Sequence, residues 1–484
     1  MSLDAPRRYS LDPRVALREE PFGALAYHYG NRRLSFLRSP ELVEVLRALG
    51  SHESIDAALD AAGVATARRP SFRRALATLE ASSMVREQAA SHPEEAGPLH
   101  LAPQPPSTTT KSLTGDMKRG LDAPICLTWE ITYGCNLACI HCLSSSGRRD
   151  PRELSTAEAQ QVIDDLQAMQ VFYVNIGGGE PTIRPDFFDL VDYSVAHGVG
   201  VKFSTNGTTM TRERAERIAG TDYVDVQISI DGANATTNDA VRGGGSFDAA
   251  LNAMELLANA GFGEFKISVV VTRHNVAELD DLASLAERFG AQLRLTRLRP
   301  SGRGADTWNE LHPTQEQQLL LYRWLRDRPN VLTGDSFFHL SALGEPLPGL
   351  NLCGAGRVVC LIDPVGDVYA CPFVLHDEFK AGSVRDHGGF AKVWRESERF
   401  ASLREPGSAG ACASCGSYDA CQGGCMAAKF FTGLPLDGPD PECVKGYGEQ
   451  MLASVAAGSA PSPGPGHSKP VRAVPVALGA TRRS

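Results

Sequence analysis

Eleven of the chain's 12 cysteines fall into two closely spaced sets, and no other feature of its 484 residues restricts the fold as tightly. The first set is Cys135-x3-Cys139-x2-Cys142. The second is Cys353-x6-Cys360-x10-Cys371, then Cys412-x2-Cys415-x5-Cys421-x3-Cys425, and finally Cys443. The N-terminus, MSLDAPRRYSLDP, lacks the apolar stretch of an export signal. A cytoplasmic location is therefore expected, where clustered thiols hold metal rather than form disulfides. Three thiolates on one short loop can fill three corners of an iron–sulfur cubane and leave the fourth iron open, and open coordination is where a metal does chemistry. A zinc loop completed by His141 is the competing reading. Eight further thiolates suffice for two four-cysteine clusters or for two zinc sites, and spacing does not separate these. The remaining Cys126 reads as a buried structural thiol.

The rest of the chain has globular composition, 42% hydrophobic and 22% charged, which excludes wholesale disorder. No run of about 18 apolar residues marks a membrane span. A net charge of −9 argues against a nucleic-acid-binding face. Residues 1–87 alternate as short strands at Val15–Arg18, Ala24–Tyr29 and Leu34–Phe36, then show helical spacing after Ser39–Pro40 and again over Ile55–Ala62 and Phe72–Ala81. This suggests a small winged-helix-like domain. Residues 88–118, rich in Pro, Ser and Thr, read as a linker. From residue 119 to 339 the pattern is strand, loop, helix, repeated, with strands expected at Leu127–Ile131, Phe172–Ile176, Val199–Ser204, Tyr223–Ser229, Lys266–Val271 and Gln292–Leu298. Such an α/β repeat builds a parallel sheet, an open wound sheet or a partial barrel, with its active site at the C-terminal strand ends. Residues 340–450, with eight cysteines and many glycines, are expected to fold around metal with little core of their own. Residues 451–484 read as a disordered tail.

The Cys135–Cys142 loop after the first strand resembles that of the radical SAM enzymes, whose core is a partial (β/α)6 barrel. The resemblance implies an open iron that chelates S-adenosylmethionine, whose reductive cleavage gives a 5′-deoxyadenosyl radical. Further matches stand in order at strand ends. Gly177-Gly178-Gly179-Glu180-Pro181 resembles the motif that holds the methionine amino group. Ser204-Thr205-Asn206-Gly207 and Ser229-Ile230-Asp231-Gly232 follow the next two strands, and Arg242 lies shortly after. The resemblance implies cofactor contacts from His141, Gly178, Gly179, Glu180, Ser204, Asn206, Ser229, Asp231 and Arg242, with Ser229 and Arg242 on the methionyl carboxylate.

The second cysteine set, with Gly366 before Cys371, resembles the SPASM extension of peptide-modifying radical SAM enzymes. Carried over, Cys353, Cys360, Cys371 and Cys425 bind one auxiliary [4Fe–4S] cluster, and Cys412, Cys415, Cys421 and Cys443 bind another, making three clusters per chain. Full coordination implies electron transfer, in a direction the residues do not fix. Pro372 replaces the aspartate that sulfatase maturases carry after the third auxiliary cysteine. The stretches ICLTWEITYGCNLACIHC, FYVNIGGGEPTIRPDF, RPSGRG and MAAKFFTGLPLDGPDPECV instead resemble the mycofactocin radical SAM maturases. EPFGALAYHYGNRRLSFL with its three helices resembles the mycofactocin peptide chaperone, which binds a precursor leader by strand addition. A DNA-binding winged helix using Arg32, Arg33, Arg38, Arg68, Arg69, Arg73 and Arg74 is the alternative for this segment. The implied substrate is a ribosomal precursor peptide ending in Val-Tyr, with a one-electron reductant as second partner. Its tyrosine would be oxidatively decarboxylated and then joined to the valine. Another SPASM maturase, or a zinc-binding adaptor, are the alternatives. No acid–base residue is assigned; Tyr173, His339 and Lys429 are polar residues near the motifs.

Overall fold

The computed structural model describes residues 8–88, 120–263, 265–333, 337–347, 353–405 and 407–456. It divides into two compact units, Met1–Gln104 and Pro105–Ser484. The expected linker and all of the expected tail beyond residue 456 lie outside the described residues.

In the first unit, β1 (Tyr9–Leu11) and β2 (Val15–Glu20) precede β3 (Gly23–His28) and β4 (Leu34–Leu37). Strands β2, β3 and β4 form an antiparallel sheet. The short β1 pairs with β5 (Val85–Glu87), a two-strand element beyond the expected three. Helix Pro40–Leu49 starts where expected, because the Ser39 side chain accepts the Leu42 N–H and proline occupies the first turn. Its buried face, Leu42, Val43, Leu46 and Leu49, packs with Ile55, Leu59, Phe72 and Leu76 of the next two helices.

The second unit is built on one nine-stranded sheet. Six strands run parallel and neighbour one another in chain order: β6 (Cys126–Thr132), β7 (Tyr173–Gly178), β8 (Gly200–Thr205), β9 (Val224–Ser229), β10 (Lys266–Val271) and β11 (Gln292–Arg297). Each lies within two residues of its expected position. Helices cross between them; Thr156–Ala168 begins with a capping box, Ser155 and Glu158 each satisfying the other's backbone N–H. Strand β6 pairs on its far side not with β11 but with β12 (Leu361–Ile362), so the six-strand array stays open as a partial barrel. Strands β13 (Asp367–Tyr369) and β14 (Lys380–Ser383) extend the sheet antiparallel.

This continuation corrects the expectation that residues 340–450 carry little core. Phe379, Phe390, Trp394 and Phe400 are fully buried in the same hydrophobic cluster as the barrel strands. Burying large aromatic rings against an existing core stabilises such a segment without metal. Helix Tyr447–Ala456 likewise carries order past residue 451, where the tail was expected to begin. Among the described residues no helix is long and apolar enough to cross a membrane.

Candidate active site

Strand β6 runs directly into the loop that carries Cys135, Cys139 and Cys142. Burial, with Glu180 and the other two thiols, pushes Cys135 up to about 12, and burial also raises Cys139. A metal bound here would have to displace these protons.

Three side chains from later strands pin this loop. From the end of β8, Asn206 Nδ2 donates to Asn136 Oδ1 at 2.9 Å. From the end of β9, Asp231 Oδ2 meets His141 Nε2 at 2.9 Å and Arg242 Nε at 2.6 Å, while Asp231 Oδ1 accepts from Val270 N. Burial alone would raise the Asp231 pKa; the Arg242 charge and His141 outweigh it and hold it at about 2. Beyond β11, Arg303 donates from Nε to Cys139 O and from Nη1 to Ser146 O, both at 2.8 Å. Two glycines let backbone approach the loop. A Cβ on Gly179 would sit 1.8 Å from Gly134 O, and one on Gly302, at φ +55°, would sit 2.3 Å from Leu143 O.

The expected cofactor contacts thus divide by geometry. Glu180 is 1% exposed and its oxygens are taken: Oε1 accepts from Thr182 N, Thr182 Oγ1 and Thr205 Oγ1, and Oε2 from Asn206 N. Asp231 is fully buried behind His141 and Arg242. Both carboxylates hold the walls of the site rather than facing its space. Gly178, Ser204 and Ser229 are partly exposed along the inner strand face, and Ser204 Oγ accepts from Gln227 Nε2 at 3.2 Å. His141 turns Nε2 to Asp231, while its Nδ1 is buried without a hydrogen-bond partner.

Deeper in the same space, Glu130 of β6 is 4% exposed and its Oε2 lacks a hydrogen-bond partner. Burial, then the charge of Asp363, pushes Glu130 up to about 8. Asp363 follows β12, accepts from Tyr133 Oη at 2.8 Å, and is itself raised by burial to about 6. The cysteine-rich extension therefore contributes directly to the inner wall.

The eight later cysteines gather in two groups. Cys412, Cys415, Cys421 and Cys443 line one pocket together with His339 and Tyr418. Cys371 is raised by burial and by Cys353 and Cys425, and Cys360 by burial, Cys126 and Cys371. These groupings fit two polythiolate cofactors. Between them stands Asp440, which accepts from Cys425 N at 2.6 Å and pairs through both oxygens with Arg297 of β11 at 2.5 and 2.8 Å. Lys429 donates to Leu436 O and Gly438 O, a structural use, and Tyr173 lies at the start of β7 opposite Cys126.

Asn136, Arg303, Glu130, Asp363, Arg297 and Asp440 were not singled out from sequence. Glu130, Asn136, Arg303 and Asp440 fall inside stretches that carry the family resemblance, which marks the segments but not these side chains. Asp363 and Arg297 lie outside them, and their partners are more than a hundred positions away.

The peptide chaperone MftB family matches residues 8–86, the radical SAM superfamily residues 129–286, and the iron–sulfur cluster-binding SPASM domain residues 353–416. The mycofactocin maturase MftC of Mycolicibacterium smegmatis is 68% identical over 369 residues, 76% of this chain and 94% of that protein. The corresponding protein of Mycobacterium tuberculosis H37Rv is 69% identical over 344 residues, covering 70% and 88%. An AdoMet-dependent heme synthase of Methanosarcina barkeri is only 30% identical over 345 residues, covering 67% and 97%. Among solved structures, SuiB of Streptococcus suis bound to S-adenosylmethionine aligns over 90% of this chain and 99% of its own, with a TM-score of 0.63 at 16% identity, a likeness of fold. The chain is an enzyme of the radical SAM superfamily and belongs to its mycofactocin maturase family.

Proposed function

We propose that this enzyme oxidatively decarboxylates the C-terminal tyrosine of a ribosomal precursor peptide ending in Val-Tyr, and in a second turnover joins that residue to the valine. The observation that carries the reading is the 68% identity to a mycofactocin maturase over 94% of its length. The fold neighbour SuiB has also been solved with its precursor peptide SuiA. Residues 1–87 bind the leader, in line with the peptide chaperone match over residues 8–86. Residues 119–339 form the radical SAM core and residues 340–450 the SPASM domain, with a linker at 88–118.

Three [4Fe–4S] clusters belong to the reading: one on Cys135, Cys139 and Cys142, one on Cys353, Cys360, Cys371 and Cys425, and one on Cys412, Cys415, Cys421 and Cys443. When bound and reduced by a one-electron donor, the first with S-adenosylmethionine supplies a 5′-deoxyadenosyl radical. The chain's own residues hold that site rigid: Asn206, Asp231 and Arg303 fix the loop, while Gly178, Gly179, Ser204, Ser229 and Arg242 border the space the cofactor would fill. Positioning of this kind is the protein's contribution when a cofactor carries the reaction. Glu130 and the Tyr133–Asp363 pair give the same space groups able to hold a proton near neutral pH.

The test is anaerobic incubation of reconstituted enzyme with S-adenosylmethionine, a reductant and a synthetic precursor ending in Val-Tyr, followed by mass spectrometry. The peptide is expected to lose the mass of CO2 and two hydrogens. A peptide recovered unchanged beside abundant 5′-deoxyadenosine would contradict the reading.

A further inference from the structure

The inner face of the parallel sheet has a polar floor that nothing above employs. Lys202 lies in β8 between Val201 and Phe203, each 1% exposed in the core. Strand alternation therefore sends its side chain to the opposite face. Lys266 of β10, Asp225 of β9, Arg294 of β11 and Cys126 of β6 all act on its charge. Val201 and Phe203 belong to the core cluster packed with the surrounding helices, so the opposite face, which carries Lys202, is the inner face of the barrel. Asp225, the register partner of Lys202 on β9, pairs with Lys266 at 2.5 Å and also favours the Lys202 charge, and among the described residues no side-chain hydrogen bond or ion pair reaches Lys202 Nζ.

Two acceptors share this face. Asn175 is the register partner of Lys202, and Gln227 is the register partner of Ser204, two positions further along β8. Asn175 Oδ1 and Gln227 Oε1 are buried without a hydrogen-bond partner. Two buried acceptors without partners, on the face that also carries the Lys202 amine, cost free energy unless something satisfies them.

We infer that Lys202, Asn175 and Gln227 form the pocket for the phenol of the substrate's C-terminal tyrosine and select it over phenylalanine, an inference that rests on the Val-Tyr reading. A phenolic hydroxyl both donates and accepts, which matches amide oxygens on one side and an amine on the other. Depth agrees too. Lys202 precedes the end of β8 by three residues, roughly 10 Å at about 3.3 Å per residue. A ring inserted from the rim brings its hydroxyl toward this floor and leaves its β-carbon near the cluster loop. Burial, then the Lys266 charge, lowers the Lys202 pKa to about 7, which suits a neutral hydroxyl better than a carboxylate.

The experiment measures kcat/KM for peptide-dependent 5′-deoxyadenosine formation by the full, reconstituted chain on precursors ending in Val-Tyr and in Val-Phe. The wild type is expected to prefer Val-Tyr by at least ~10²-fold, as sites built around a substrate hydroxyl do. Lys202→Met should cut that preference at least tenfold, chiefly through loss on Val-Tyr. Gln227→Leu, which keeps the cation, is the second variant and should cut it as well, even if Lys202→Met fails to load iron. Retention of the wild-type preference by the variants overturns the assignment. So does an equal loss on both peptides, which would indicate a carboxylate site or a purely structural lysine. A wild type that responds to neither peptide instead refutes the Val-Tyr reading itself.

Discussion

Asp231 shows how one buried side chain can govern a site it does not line. It joins the cluster loop, through His141, to Arg242 at the end of a helix. Asp231→Asn leaves that buried guanidinium without its counter-charge, which costs about 3–5 kcal/mol. The variant should melt earlier and lose the change that S-adenosylmethionine induces in the electron paramagnetic resonance spectrum of the reduced protein. Glu130 makes a pH-dependent claim. Its folded pKa of about 8 stands above the unfolded value of 4.5. Between those values the folded chain keeps a proton that the unfolded chain releases, so stability falls as pH rises, by about 5 kcal/mol across the window. Glu130→Gln should flatten that slope, leaving stability near pH 4 unchanged and raising it above pH 8. Identical pH profiles for the two proteins, read by anaerobic thermal melts, would show that Glu130 is not neutral in the fold.

Among the elements, Arg297 of β11 anchors the cysteine-rich extension to the barrel through Asp440, whose carboxylate also caps Cys425 N. Arg297→Met strands a buried carboxylate, again about 3–5 kcal/mol. It should lower iron content by up to two-thirds while the Cys135–Cys142 loop keeps its share, seen as surviving S-adenosylmethionine cleavage. Uniform loss of iron would place the anchor elsewhere. The six barrel strands were legible because each is a segment of six or seven residues, most alternating apolar and polar side chains, set between clear helices. The Tyr9–Leu11 and Val85–Glu87 pair and the β12–β14 extension were not, since strands of two to four residues carry too little pattern. Motif residues such as Gly179 and Asp231 were found by resemblance, but their division into wall and lining was not. That division depends on Thr205 and Val270 arriving from other strands and Arg242 from a helix, which no local spacing encodes.

At the scale of the whole molecule, 11 clustered thiols are expected to hold three cubane clusters, so anaerobic reconstitution should approach ~12 iron per chain. Joint replacement of Cys135, Cys139 and Cys142 by alanine should remove about a third of that iron and all cofactor cleavage. The first unit, with its own core around Leu46, Leu59 and Leu76, is expected to act as the leader-binding module. Removing residues 1–100 should spare uncoupled 5′-deoxyadenosine formation but collapse peptide turnover. Adding residues 1–87 back as a separate protein should restore part of it, less efficiently for want of tethering. Full turnover by the truncated enzyme at low peptide concentration would assign leader capture elsewhere. The central claim is that radical chemistry in the barrel begins at the β-carbon of a C-terminal tyrosine. It is tested most directly with a Val-Tyr precursor deuterated at that carbon, by mass spectrometry of the 5′-deoxyadenosine formed. Deuterium is expected in the 5′-deoxyadenosine in step with decarboxylated peptide; decarboxylated peptide accompanied by unlabelled 5′-deoxyadenosine would place the first abstraction elsewhere.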